Sequence, residues 1–125
     1  KLFPREYYVA KQAFESWQQP LQETIEIPQT IVQIGSLALI PFPYEMFSVF
    51  SLRLRKYGPF KYNLLCSNVN GCYGYVPDKG AIAIGGYEVD CRQLMEKYVL
   101  KPEAGDLAVS QTLKALEEMT THNSE

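Results

Sequence analysis

Histidine is almost missing from this chain: His122 is the only one in 125 residues. A histidine-based metal site or catalytic triad therefore cannot be assembled from these residues alone. His122 belongs to the polar segment Thr120–Glu125, which is expected to be a disordered tail. Cysteine is scarce and unpaired in pattern. Cys66, Cys72 and Cys91 are odd in number and show no C-x-x-C spacing, against both a disulfide framework and a zinc knuckle. They are expected to be buried or half-buried free thiols, as in reduced compartments. There is no excess of either charge. Lys plus Arg number 12, Asp plus Glu 14, and no basic stripe exists for nucleic acid. No apolar run approaches the roughly 18 residues of a transmembrane helix. No leader pattern is visible, and the first residue, Lys1, suits a processed product or a piece of a longer protein.

What remains is an ordinary globular composition, 46% hydrophobic with a net charge of −2, in the length of one domain. Its elements read as α/β: a small mixed β-sheet with a hairpin and a βαβ unit, and helices packed on it. Residues 1–119 form the domain and 120–125 the tail. Pro4 opens a helix whose Tyr7, Ala10, Phe14 and Trp17 share one face, ending before Pro20. Glu23–Ile27 alternates polar with apolar as a strand does, broken at Pro28. Ile31–Ile34 and Leu37–Ile40 flank Gly35 and Ser36, a link suited to a type II′ hairpin. The second arm, apolar on both faces, is expected to be central.

Pro43 fits the first position of a helix with Glu45 in its opening turn and Phe47, Phe50, Leu54 and Tyr57 buried. Gly58 and Pro59 stop it, and Tyr62–Cys66 follows as a strand, predicting a βαβ crossover onto a parallel neighbour. Ser67–Gly86 is irregular, with Pro77 and glycines at 71, 74, 80, 85 and 86. Loops this long are usually functional or disordered, and Tyr73, Tyr75 and Tyr87 favour function here. Two helices close the chain, about Glu88–Tyr98 with Cys91, Leu94 and Tyr98 inward, and about Glu103–Met119 with Val109, Leu113 and Leu116 inward.

Three polar residues stand at turns that open on one edge of the sheet: Glu45, Tyr75 and Tyr87. Ligands in α/β folds gather at the carboxyl ends of the strands. A carboxylate in a helix's first turn stays ionised, favoured by about 0.3–1 kcal/mol, and suits a hard or borderline cation. A tyrosine oxygen ligates as phenolate only beside strong positive charge, whereas a protonated tyrosine can donate to a developing oxyanion. A structural reading competes: Glu45 answers the helix dipole, Tyr75 and Tyr87 cap the core, and the chain is a non-catalytic interaction or packing module without a metal site.

The order and spacing of these residues resemble the C-terminal part of the catalytic domain in the neutral/alkaline non-lysosomal ceramidases, a family of zinc amidohydrolases. The family's Pro-Gly-Glu-Phe-type motif corresponds to Pro43, Tyr44, Glu45, Met46 and Phe47, with tyrosine where the family has glycine. Its Asn-x-x-x-Gly-Tyr-Val motif corresponds to Asn70, Gly74, Tyr75 and Val76. Its Arg-Tyr-Glu motif corresponds to Gly86, Tyr87 and Glu88, with Tyr87 twelve residues after Tyr75 and glycine where the family has arginine. The resemblance spans about Ile31 to Met119. It implies zinc ligation by Glu45 and Tyr75, assistance to the substrate carbonyl by Tyr87, and substrate contacts from Asn70, Tyr73 and Gly86.

The same resemblance implies two further histidine ligands from an upstream part of the parent chain. The partners expected are that upstream part and a small-molecule or lipid amide, hydrolysed at an N-acyl linkage. The chain alone is expected to hold no zinc, to be inactive, and to self-associate through apolar surface. The compartment is left open between cytoplasmic and secreted.

Overall fold

A computed structural model describes residues 24–95 and 100–122. The expected helix bearing Tyr7, Ala10, Phe14 and Trp17 lies outside them, as do residues 123–125 of the polar segment.

The organising element is the stretch from Leu37 to Phe47, two strands of separate sheets joined by a bend at Pro43 and Tyr44. It contains β2 (Leu37–Pro41) and β3 (Glu45–Met46), preceded by β1 (Val32–Ile34). β1 and β2 form the antiparallel hairpin expected, with Val32 opposite Leu39 and Ile34 opposite Leu37. At its turn Gly35 has φ +58° while Ser36 stays out of the positive region, the pattern of a II′ link. β2 is central. Its other neighbour is β4 (Tyr62–Cys66), parallel, with Leu37 opposite Tyr62 and Pro41 opposite Cys66. Between them runs helix α1 (Ser48–Tyr57), completing the βαβ unit. The architecture is thus α/β with a small mixed sheet.

Ala38, Ile40, Phe42, Tyr44 and Met46 are buried along this stretch, as are Pro41 and Pro43 at the bend between β2 and β3. Within β2 the alternation of Ala38 and Ile40 with Leu37 and Leu39 turns one face towards the helices. Phe50 and Leu54 of α1, with Val109 and Leu116 of the last helix, α4 (Ala104–His122), close the core over it. Burying each such side chain stabilises the fold by about 1.5–3 kcal/mol. Arg53 of α1 bonds Asp106 of α4, joining the two helices at the rim of that core.

Several expectations are corrected. Glu45 is not in a helix's first turn. Its N–H donates to the Gly74 carbonyl (2.8 Å) and the Phe47 N–H to that of Val76 (3.2 Å), so the chain stays extended beside β5 (Tyr75–Val76). Helix α1 begins only at Ser48, and no acid lies in its first turn. Tyr57, expected inside, is 58% exposed at the C-terminal end of α1. Residues 24–30 alternate in burial but pair with no strand among the described residues. Pro28 has no N–H to offer a ladder, and the Gln29 side chain takes the tethering role, donating to the Pro41 carbonyl (2.9 Å). The segment after Cys66 is less irregular than expected. It contains β5 and a short helix, α2 (Lys79–Ile84), capped by Asp78.

Helix α3 (Tyr87–Met95) begins at Tyr87, and the side chains of Leu94 and Tyr98 lie outside the described residues. Helix α4 continues to His122, so Thr120, Thr121 and His122 are helical rather than part of a tail. Of the thiols, Cys91 is buried and Cys66 half-buried, but Cys72 is exposed on the loop.

The second face of the sheet has no cover among the described residues. The alternate positions Val32, Ile34, Leu37, Leu39, Tyr62 and Leu64 point there, and four of them are well exposed: Val32 45%, Ile34 61%, Tyr62 54% and Leu64 40%.

Candidate functional site

Glu45 and Tyr75 are direct register partners in the parallel β3–β5 pair. Opposed residues of a parallel ladder project to the same face, about 4.8 Å apart across the strands. Their neighbours Met46 and Val76 are also partners, and both are buried, so the two pairs face opposite ways. Glu45 is exposed and Tyr75 half-buried. They stand just beyond the carboxyl ends of the parallel strands β2 and β4, where the α/β rule puts ligands.

The loop between β4 and β5 builds this arrangement. Asn68 (φ +56°) and Asn70 (φ +62°) take left-handed conformations that asparagine tolerates, turning the chain back on itself. Its N–H groups then meet the carbonyls of the proline-bracketed break: Val69 to Phe42 (3.0 Å), Tyr73 to Pro43 (2.9 Å) and Asn68 to Tyr44 (3.1 Å). The Ser67 hydroxyl accepts the Met46 N–H at 3.1 Å. Backbone groups left stranded by Pro41 and Pro43 are thereby satisfied, and β3 is held in register beside β5.

Tyr87 joins from the third element. Its ring lies edge-on to that of Tyr75, centroids 6.2 Å apart and planes at 75°. Gly85 (φ +80°) and Gly86 (φ +123°) set this approach, and the Gly86 carbonyl receives the Asp90 N–H (2.8 Å) to start α3. Tyr87 is 67% exposed. The Tyr75 hydroxyl is held above the usual phenol range by burial first, then by the negative charge of Glu45, with smaller contributions from Tyr87, Cys91 and Glu88. The Glu45 carboxylate beside it thus favours the neutral phenol over the phenolate.

The other three expected site residues do not join this cluster. Tyr73 packs its ring edge-on to Tyr44 (5.6 Å), and Tyr44 points into the core, away from the Glu45 side. Asn70 lines a cleft of about 350 Å³ with Thr30, Val32, Leu39, Pro41, Cys66 and Val69, over the bare sheet face. Gly86 has a backbone role, since its φ of +123° is one that L side chains rarely adopt. Sequence reasoning missed Cys91 and Glu88, whose nearness to Tyr75 arises only when α3 folds back on β5. It also missed Ser67, whose hydroxyl anchors β3.

For a metal ion, Glu45 and Tyr75 supply two oxygens on one face, half of a four-ligand zinc shell. Among the described residues no cluster of three or more His, Cys, Asp or Glu side chains can hold a metal. The pair fits a shared site and does not make one alone. Comparison with family models, with curated proteins and with solved structures finds no match to this chain.

Proposed function

We propose that this chain is the C-terminal part of a zinc-dependent amide hydrolase similar to the neutral ceramidases, acting on an N-acyl linkage of a small-molecule or lipid amide. The observation that carries the reading is the convergence of Glu45, Tyr75 and Tyr87 from three separate elements, in the order and spacing of the family's motifs. The Glu45 carboxylate next to the Tyr75 hydroxyl supports the reading.

In this reading Glu45 and Tyr75 hold the metal together with two imidazoles from the parent chain. Bound zinc supplies Lewis acidity, polarising a carbonyl and lowering the pKa of its water towards about 7. Glu45 contributes a fixed negative charge held by the β3–β5 ladder, and Tyr75 a phenol oxygen whose neighbours are preorganised around it. Tyr87, touching Tyr75 but outside the ligand pair, donates its O–H to the oxygen of the substrate carbonyl as negative charge develops there.

Two variants of the parent test this. Glu45→Ala is expected to lose zinc by elemental analysis. Tyr87→Phe is expected to keep zinc and lose about 10²–10³-fold in kcat, the usual cost of one oxyanion donor. Zinc retained in the first variant, or lost in the second, overturns the assignment. The competing reading, an interaction module, is favoured by the bare apolar sheet face. It requires Glu45→Ala to leave metal content unchanged.

A further inference from the structure

We propose that the apolar face of the three-stranded sheet is covered by this chain's own N-terminal segment: residues 4–19 lie along it as a helix, and Trp17 fills the cleft beside Cys66. This cover stands or falls independently of the hydrolase reading.

The face needs a cover. β2 and β4 are parallel, and parallel strands occur with both faces covered. Among the described residues α1 and α4 cover one face, and nothing covers the other. That other face has no charged residue at any of its positions in β1, β2 or β4, while Val32, Ile34, Tyr62 and Leu64 are well exposed on it. An apolar patch of this kind marks a contact surface.

The dimensions suit one helix. β2 and β4, five residues each, make the face about 17 Å long, and three strands make it about 14 Å wide. In the helix read from the sequence, Tyr7, Ala10, Phe14 and Trp17 form an apolar stripe about 15 Å long on a cylinder about 10 Å across. Arg5, Gln12 and Ser16 fall on the opposite side of that helix, where solvent would be. A second copy is the poorer occupant, since the face offers roughly 240 Å² in projection against about 800 Å² per partner in a stable interface.

The chain path leads to the same place. Ile27 and Ile31 pack against the core and Gln29 bridges Thr112 of α4 to the Pro41 carbonyl, yet Thr30 between them lines the cleft on the bare face. Residues 24–31 thus follow the rim between the two faces. Thr24 is at most about 20 Å from Thr30, and the five steps back to Gln19 span up to about 18 Å, so a reversal within residues 20–23 returns the chain to the cleft. Trp17 stands at the end of the stripe nearest that reversal. The cleft holds about 350 Å³ and is lined mainly by apolar groups, with Thr30 and Asn70 supplying oxygens for an indole N–H.

Trp17 is the only tryptophan, so its fluorescence reports on the cover in the full 125-residue chain. Acrylamide should quench it about fivefold less than in the urea-unfolded chain. Equal quenching overturns the cover, and so does protection that fades on dilution, which belongs to a second copy. Cys66, half-buried in the cleft, gives the second reading, with the buried Cys91 as an internal control of folding. In Trp17→Ala a small thiol reagent should label Cys66 about tenfold faster and leave Cys91 as slow as before, each read on its own peptide by mass spectrometry. An unchanged Cys66 rate overturns the assignment of Trp17 to the cleft. Where that substitution unfolds the chain, seen as Cys91 labelling rising too, the milder Cys66→Ala decides. Trp17 emission should then brighten, because a thiol in contact quenches an indole, and unchanged emission overturns the proposal.

Discussion

Replacing Gly86 with arginine would match the ceramidase motif that this stretch resembles, yet the structure says it destabilises the chain. Gly86 has φ +123°, next to Gly85 at +80°. An added Cβ would meet nothing within 4 Å, so there is no steric term and the whole effect is conformational. Holding an L-residue there costs about 1–3 kcal/mol. A surface arginine side chain itself shifts stability by no more than about 0.5 kcal/mol. Gly86→Ala and Gly86→Arg should therefore cost the same within that margin. Relieving the strain by rotating φ would swing the Gly86 carbonyl away from the Val89 and Asp90 N–H groups it now caps, and carry Tyr87 away from Tyr75. Urea unfolding followed by far-UV circular dichroism measures both variants, with an unchanged slope required for a clean comparison. An arginine variant as stable as the original refutes the backbone account.

Gly105→Ala is a second case in which location reverses the usual sign. A helical glycine changed to alanine ordinarily gains up to about 1 kcal/mol. Here the new Cβ would overlap the Phe50 ring, with Cε1 and Cε2 2.8 Å away and Cζ closer still. Phe50 is 1% exposed and cannot swing out. Overpacking of about 1–3 kcal/mol should win, and the urea midpoint should fall; a raised midpoint contradicts this packing. Asp106 gives a pH signature. Its carboxyl is held below the usual range chiefly by the Arg53 hydrogen bond, with Lys79 assisting at 3.4 Å. A depressed pKa stabilises the fold above the unfolded value of about 4, and the contribution is lost as pH falls through the lower, folded value. Both side chains are more than a third exposed, so solvent screening keeps the pair to about 0.5–1 kcal/mol. Asp106→Asn should be less stable by that amount at pH 7, and the gap should narrow as pH falls below about 4; a constant gap across the titration would contradict the ion-pair origin.

The hairpin, the β4 strand, the βαβ order and the apolar faces of α1 and α4 were readable from residue patterns, because each is decided locally. Gly35 supplies its own positive φ, Leu37–Ile40 is apolar on both sides whatever it pairs with, and Gly58 ends α1 wherever that helix lies. Glu45 shows the limit. After a proline it has the local look of a helix start, yet acceptors at Gly74 and Val76, about thirty residues onward, hold it in a strand. The role of Gly86 was equally hidden, since φ depends on how α3 returns to β5. Only the tertiary structure decided that Tyr75 is the register partner of Glu45, that Tyr73 turns instead to Tyr44, and that one apolar sheet face has no cover among the described residues. Register, parity and cover are properties of paired segments, and a single segment read alone carries no record of its partner.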